Sequence, residues 1–568
     1  MLDLTLTTKF VVGTNVKGDL ASADWRFLLP RLQFGQALCL GVPQAAAVRV
    51  LAKVCQRLFV ISTNHQRLRR VVAESKRRGL TNVKTAVHDD LAALPYLDGS
   101  FDLIFVTRDG RLRKLLGDKK IFEEARRLLK ADGVVYFELR SLIERLLSRK
   151  TLASFPEFGL SHPQILRLTP SSGELLTAIP VHDQTTADYF QRHLTYTASR
   201  RERLFQGLDR LLGNYRRGVI TQRLPQVCNG HLPHYLTSLA TEVGARLDDY
   251  GWGMSATGRY NSKKVLFYFL DQKSGEAEAV IKLTRNPVFN ARLENEHRTL
   301  SRLRERNLVA PETIPQPWFF GYRGNLAIVG QKVVRGRPFR QATRATIDCP
   351  LANAAMGWIA DLGAASAEAT GASPTQVAEA MTSLFRQYSD IYKPSSNEHT
   401  FIEKQIDNLA QNASGFRTVF QHGDSGIWNV LATGAESIAF LDWEAAEPQG
   451  MPLWDLFYFL RSYGRWMSRV RGERDSLKSF SQNFLMPSPL SDLLARLAHR
   501  YCERVQINQR LLEPLFYTCW MHRALKEATR LTQARLEKGH YVNLLRLCIE
   551  SRNAPALARL FSETSSKV

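Results

Sequence analysis

The sequence predicts two folded regions of different class: an α/β region built as a doubly wound sheet, and an α+β region in which strands give way to helices. Three observations carry this division. Between residues 36 and 140, short and almost unbroken apolar runs alternate with amphipathic stretches, the rhythm of parallel strands covered on both faces. From about His234 the pattern changes to strand-like pieces separated by polar turns, and from about Ala352 helical periodicity dominates. A chain of 568 residues also exceeds what one hydrophobic core organises, so several domains are expected.

Within the front region, QALCLGV, RLFVIST, FDLIFVT and GVVYFEL read as buried strands, and AAAVRVLAKVC, HQRLRRVVAESKRRG and KIFEEARRLLK as the helices between them. Strand–helix alternation of this kind implies a parallel sheet. Residues 151–232 mix Pro, Ser and Arg with helical pieces such as RRERLFQGLDRLLG, and read as a basic, partly helical connector. GWGMSATGRYNSKKVLFYFLDQKSGEAEAVIKLTR then reads as antiparallel strands, FNARLENEHRTLSRLRER as a helix and GNLAIVGQKVV as a further strand. The expected boundaries are 1–150, 151–232, 233–340 and 341–545, with 546–568 as a terminal helix and frayed tail.

Composition narrows the function classes. The net charge is +23, yet from Arg340 onward 25 Lys and Arg face 23 Asp and Glu, so the excess lies ahead of that point. A dense patch is formed by Arg192, Arg200, Arg201, Arg203, Arg210, Arg216, Arg217 and Arg223. A basic surface of this kind attracts an acidic partner or an anionic membrane surface. No zinc finger, aromatic-rich RNA-binding signature or basic zipper accompanies it, so nucleic acid is not an expected partner. The seven cysteines are scattered and never form a C-x-x-C pair, which fits a reducing compartment without a disulfide framework. MLDLTLTTKFVVGT lacks the basic start of a signal peptide, and no apolar run approaches a membrane span, so a cytoplasmic location is expected.

The chemistry concentrates in VFQHGDSGIWNVLATGAESIAFLDWEAAEPQG, from Val419 to Gly450. Phosphoryl transfer to an alcohol needs a carboxylate to orient the hydroxyl and take its proton, oxygen ligands for Mg2+, and a cation on the phosphates. Mg2+ prefers hard oxygen ligands and shares its sphere with phosphates and water. Asp424 and Asn429 can sit at the two ends of one short loop, and Asp442 closes the apolar strand SIAFL.

HGDSGIWN followed by FLDWE resembles the signature of the aminoglycoside phosphotransferase and choline kinase family, whose fold is a variant of the protein-kinase fold. The resemblance spans roughly residues 233–540 and implies a bilobal, kinase-like domain. It makes Asp424 the catalytic base, Asn429 and Asp442 the Mg2+ ligands, His422 the histidine that braces the loop, and Asp455 in PLWDLFYFL a structural aspartate. Upstream, GEAEAVIKLTR resembles the strand whose lysine, here Lys282, holds the nucleotide phosphates. Glu296 in EHRTLSRL is its expected partner, with Glu294 as the alternative. GWGMSATGRYNSKK stands where a loop covers the phosphates; Gly251, Gly253 and Gly258 permit close backbone approach there, and Ser255 and Asn261 supply polar groups. Gln331, Lys332, Val333 and Val334 fall where adenine would stack beside the hinge. The implied cofactors are Mg2+ and ATP or GTP.

HDDLAALPYLDGSFDLIFVT and EEARRLLKADGVVYFEL resemble a class I SAM-dependent methyltransferase, in which Asp90 would approach the adenine. The loop LCLGVPQAAAV departs from that family: it holds only Gly41, Pro43 removes a donor, and Ser62 in VISTN stands near the place of the ribose-binding acid. SAM is therefore not an expected cofactor, and the front domain is expected to be a degenerate scaffold or recognition domain that retains the fold. The leading expectation is a kinase acting on a hydroxyl of a small molecule or glycan-linked acceptor. Two alternatives stay open: a non-catalytic binding protein, and an active methyltransferase with a regulatory kinase-like tail.

Overall fold

The computed structural model describes residues 21–107, 119–139, 152–161, 163–171, 174–193, 216–223, 232–256, 264–369 and 373–563. The chain divides into two compact units. The first comprises Val16–Leu293 and Trp318–Val333, the second Glu294–Pro317 and Val334–Val568.

In the first unit, strands β1 (Phe34–Leu40), β2 (Cys55–Ser62), β3 (Val83–Val87), β4 (Phe101–Val106) and β5 (Leu129–Leu139) lie parallel in the order β3-β2-β1-β4-β5. Helices α1 (Ala45–Val54), α2 (His65–Arg77) and α3 (Lys119–Leu128) connect them. Successive residues of β1 enter different cores: Ala37 and Cys39 join one cluster, Leu38 and Leu40 another. Burial on both faces explains why these strands read as continuous apolar runs.

The expected connector, 151–232, needs correction. Among the described residues it supplies strands β6 (Gln164–Ser171), β7 (Glu174–Pro180) and β8 (Arg216–Gln222) and the helix α4 (Gln184–His193). β8 runs antiparallel between β5 and β6, so the sheet continues straight through this stretch. Pro170, Ser171 and the arginines interrupt the apolar alternation, which is why the sequence reads there as linker. The helix expected at RRERLFQGLDRLLG lies outside the described residues. Of the basic patch, Arg223 donates to the Leu129 carbonyl at 2.6 Å, while Arg200, Arg201, Arg203 and Arg210 also lie outside the description.

β7 pairs onward with β9 (Tyr250–Ser255), through Thr177 with Ser255 and Ala178 with Met254. After helix α5 (His234–Glu242) and β9 come β10 (Lys264–Asp271), β11 (Ala277–Thr284), β12 (Gln316–Arg323) and β13 (Leu326–Lys332). Among the described residues all thirteen strands form one sheet, in the order β12-β13-β11-β10-β9-β7-β6-β8-β5-β4-β1-β2-β3. The two expected regions therefore share a backbone ladder.

A buried segment, Ala21–Leu28, reinforces that junction. Trp25 stacks on Phe105 of β4 and Tyr136 of β5, with centroids 4.5 and 4.4 Å away. Asp24 accepts two hydrogen bonds from Arg285, just beyond β11, at 3.0 and 2.7 Å. Arg26 donates to the Arg285 carbonyl at 2.8 Å, and the Tyr235 hydroxyl donates to the Phe27 carbonyl at 2.7 Å. Buried charges persist only when paired and hydrogen-bonded, and here they fasten the front strands to the strand that carries Lys282.

Helix α6 (Asn290–Glu305) contains the division between the units. The second unit is built on α7 (Pro350–Ser366), α8 (Pro374–Tyr392), α9 (Ser396–Asn412), α10 (Trp454–Val470), α11 (Pro489–Val505), α12 (Leu512–Ala528), α13 (His540–Glu550) and α14 (Pro555–Phe561). Ser373, Ser395 and Ser488 start α8, α9 and α11 with reciprocal capping boxes, each satisfying helix-terminal donors. Short strands β14 (Arg337–Pro338), β15 (Glu368–Ala369), β16 (Arg417–Gln421), β17 (Val430–Ala432), β18 (Ile438–Phe440) and β19 (Glu447–Gly450) form two small sheets, β14-β17-β18 and β15-β16-β19. Among the described residues no helix is long and apolar enough to cross a membrane.

Candidate active site

The hairpin β17–β18 brings Asn429 and Asp442 together. Val430 pairs with Phe440, and the Leu441 N–H donates to the Asn429 carbonyl at 2.8 Å. Asn429 immediately precedes one strand and Asp442 closely follows the other, so residues thirteen apart in sequence become neighbours at the open end of one hairpin. Asp442 holds a left-handed backbone, φ 66° and ψ 66°. For a residue with a Cβ this conformation costs about 1–3 kcal/mol and persists where the surroundings enforce it.

The loop from β16 to β17 places Asp424 beside them. Asn429 Nδ2 donates to the Asp424 carbonyl at 2.8 Å and to its carboxylate at 3.2 Å. With its NH2 so engaged, the amide turns its Oδ1 to the other side, as a hard oxygen for a metal. His422 is buried, and its Nδ1 accepts the Asp424 N–H at 3.2 Å. The proton then sits on Nε2, which donates to the Leu441 carbonyl at 2.9 Å; the tautomer follows from these two bonds. The ring packs on Trp443, with centroids 4.5 Å apart. Asp455, at the start of α10, accepts the N–H groups of His422 and Gly423 at 2.6 and 3.1 Å. Burial pushes its carboxyl above the usual range, against the downward pull of His422 and those donors.

Gly423 is demanded by geometry. Its φ is +72°, and a Cβ there would lie 2.0 Å from the Ala445 carbonyl oxygen. Replacement by Ala is expected to cost about 3 kcal/mol or more, since a left-handed backbone penalty adds to a clash that only the backbone can relieve. Chemical denaturation checks this; an unchanged midpoint contradicts it.

Sequence reasoning missed a cation at the centre of the site. Arg523 on α12 donates to the Gly423 carbonyl at 2.7 Å and to Asp424 Oδ1 at 3.2 Å. Its guanidinium lies over the Tyr458 ring at 3.4 Å. Lys526, one turn on, bridges to Glu447 at 2.9 Å. The available signal was the pair of cations in HRALK inside LEPLFYTCWMHRALKEA, a helix with a largely apolar sequence, where a buried charge must have a partner.

Glu296 is fully buried and accepts the Trp443 N–H at 3.3 Å. Its neighbour Asn295 donates to the Ala446 carbonyl at 2.8 Å. The favoured glutamate is thus tied to the residue after Asp442, whereas Glu294 is half-buried. Lys282 belongs to the first unit, on β11, opposite Val329 of β13 and Leu266 of β10. It is buried, on the sheet face opposite to Ile281 and Leu283. Ser255 is buried on β9, paired with Leu266. Gln331, on β13, is 1% exposed, and its Nε2 has no hydrogen-bond partner among the described residues. Val333 donates to the Glu278 carbonyl at 2.9 Å, and the division between the units falls immediately after it.

Two glycines serve a purpose other than the one expected. A Cβ on Gly251 would meet Gln272, Asp183 and Thr186, and one on Gly253 would lie 2.6 Å from the Phe190 ring. They admit helix α4 against β9 and are not part of a phosphate-covering turn. Gly258 and Asn261 lie outside the described residues. In the front domain, Gly41 spends its N–H on the Ile61 carbonyl at 2.7 Å. Ser62 Oγ accepts the Asn64 N–H at 3.1 Å, and Asp90 accepts the Ala92 N–H at 2.8 Å.

Comparison with known proteins defines the class. Residues 261–527 match the phosphotransferase enzyme family, and residues 38–137 match a methyltransferase domain. The chain thus carries a kinase-like phosphotransferase domain behind a methyltransferase-like sheet. No curated protein matches it significantly. Among solved structures, a SAM-dependent methyltransferase from Aquifex aeolicus is 13% identical, aligned over 37% of this chain and 94% of its own, with a TM-score of 0.25. Geranyl diphosphate C-methyltransferase from Streptomyces coelicolor is 15% identical over 36% of this chain and 80% of its own, TM-score 0.25. Phosphoethanolamine N-methyltransferase 2 from Haemonchus contortus is 15% identical over 39% of this chain and 55% of its own, TM-score 0.26. The methyltransferase match gives no support to the expectation that SAM is excluded.

Proposed function

We propose that the protein transfers the γ-phosphoryl group of Mg2+-ATP to an alcohol. The observation that supports this most is the loop holding Asp424, Asn429 and Asp442, two carboxylates and an amide oxygen gathered by one hairpin and one turn. The donor set fits Mg2+. Among the described residues no group of three or more His, Cys, Asp or Glu is arranged for a metal, and one amide oxygen with one carboxylate suffices when phosphates and water complete an octahedron. Mg2+ bound by Asn429 and Asp442 would supply charge neutralisation at the nucleotide phosphates. Asp424 orients the acceptor hydroxyl and takes its proton, while Asn429 and Arg523 fix the carboxylate's direction. Lys282 is the proposed phosphate-binding cation. The unpartnered Nε2 of Gln331 is a buried donor that a purine nitrogen would satisfy.

The test is ADP formation by the full chain with a mixed pool of hydroxyl acceptors. Turnover is expected to vanish with a chelator and return with Mg2+, and Asp442→Ala is expected to raise the Mg2+ requirement at least about tenfold. Chelator-resistant turnover, or an unchanged Mg2+ requirement in the variant, contradicts the assignment. For the front domain we propose a scaffold, because the loop after β1 holds the single glycine Gly41 followed by Pro43, and Ser62 stands near the place of the ribose-binding acid. SAM binding at micromolar affinity in calorimetry would reverse that reading.

A further inference from the structure

Of the nine tryptophans, eight are buried or half-buried and one is exposed: Trp428, at 46%. It stands between Asp424 and Asn429, and its two neighbours Ile427 and Asn429 are buried. Its ring is held in place. The six-membered part lies against Gly426, where a Cβ would come within 2.3 Å of it. Its plane stands nearly perpendicular to Tyr458, with centroids 5.9 Å apart. A large rigid ring is thus kept at the surface by the loop that carries the proposed base.

The wall behind that ring is cationic. Arg523 covers Tyr458 at 3.4 Å and reaches Tyr541 at 5.6 Å, while Arg461 lies 5.1 Å from the centre of Tyr541. Arg523 is paired with Asp424. Arg461 meets His540, whose imidazole is pushed down to about 3 by burial and by Arg461 and Arg465 against the pull of Asp475; it is uncharged at neutral pH and serves the guanidinium as a neutral acceptor. The aromatic faces that would attract a substrate ammonium are therefore already taken by the protein's own guanidinium groups, and a further cation would be repelled. The ring face left to a ligand is that of Trp428. The C–H groups on one side of a pyranose carry partial positive charge without net charge, and they complement the negative face of an indole. The Arg523 fork is spent on Gly423 and Asp424 and Arg461 on His540, so their part is the positive charge they set behind the ring.

We propose that the acceptor is a neutral or anionic sugar ring stacked on Trp428, its hydroxyl delivered to Asp424, and that amino-sugar cations are disfavoured. This rests on the phosphotransferase reading for the reaction, but the recognition itself is testable without turnover.

The experiment is saturation-transfer NMR on the full chain with methyl glucoside, glucuronate and glucosamine as probes, which vary the charge on one ring. Methyl glucoside and glucuronate are expected to receive saturation. Trp428→Phe should retain the signal, and Trp428→Ala should weaken binding about five- to tenfold, the effect of losing one aromatic stacking face. Because Trp428 is exposed, its truncation leaves the core intact. Absence of transfer to all three sugars, preference for glucosamine, or an unchanged signal in Trp428→Ala each overturns the proposal. Sugar binding in a protein that never forms ADP sustains the sugar site and sinks the phosphotransferase reading.

Discussion

Asp424→Ala is expected to lower phosphoryl transfer by about 10²–10⁴-fold, the contribution of a positioned general base, while nucleotide affinity stays within a few-fold of the parent. The split follows from the geometry. Asp424 touches Asn429 and Arg523, but its carboxylate remains 25% exposed, so it has a face left for an acceptor. The side chains proposed to hold Mg2+-nucleotide are others: Asn429, Asp442 and Lys282. Steady-state turnover with acceptor in excess, combined with nucleotide titration, separates the two effects. Because Arg523 loses its carboxylate partner in the variant, Asp424→Asn is the cleaner companion: it keeps the shape of the loop and should be equally inactive. Turnover within tenfold of the parent in both variants removes Asp424 from the role of base.

The second large effect lies far from this loop in sequence. Asp24→Ala is expected to destabilise the first unit by about 3–5 kcal/mol, because it strands the buried guanidinium of Arg285 without its carboxylate. The pair is almost completely enclosed, with side-chain exposures of 5% for Arg285 and 0% for Asp24. For a unit of this size the thermal transition should fall on the order of 10 °C. The double replacement Asp24→Leu with Arg285→Met should recover only part of that loss, since it removes the Arg285 charge but leaves the buried guanidinium of Arg26, 4.0 Å from Asp24, without its carboxylate. Differential scanning calorimetry of the three proteins tests this. A single variant as stable as the parent would show that Ala21–Leu28 does not fasten the two halves of the sheet.

These two results also mark where the sequence is informative. The strands from β1 to β5 are legible because burial on both faces forces long apolar runs. HGDSGIWN and FLDWE are legible because the chemistry needs an acid, an amide and a second acid close together, and a loop followed by a hairpin delivers them within one short stretch. Glu296 is favoured over Glu294 only through the resemblance of EHRTLSRL to the family's pattern, and of the two it is the buried one. Arg523 is not: it reaches Asp424 from a helix 99 residues away, and an arginine's sequence neighbours say little about its partners in space. The pairing of β7 with β9 escapes for the same reason, because register between distant strands is set by tertiary contacts. Gly251 and Gly253 mislead for a physical reason: a glycine that admits a phosphate and one that admits a phenyl ring look alike in sequence.

The most direct test of the central claim is calorimetric titration of a non-hydrolysable ATP analogue, with and without Mg2+, into the parent protein and into Lys282→Ala and Asp442→Ala. The parent is expected to bind in a Mg2+-dependent way and each variant at least about tenfold more weakly, with the Mg2+ requirement raised only in Asp442→Ala. Nucleotide binding that is absent in the parent, or indifferent to both substitutions, would contradict the claim.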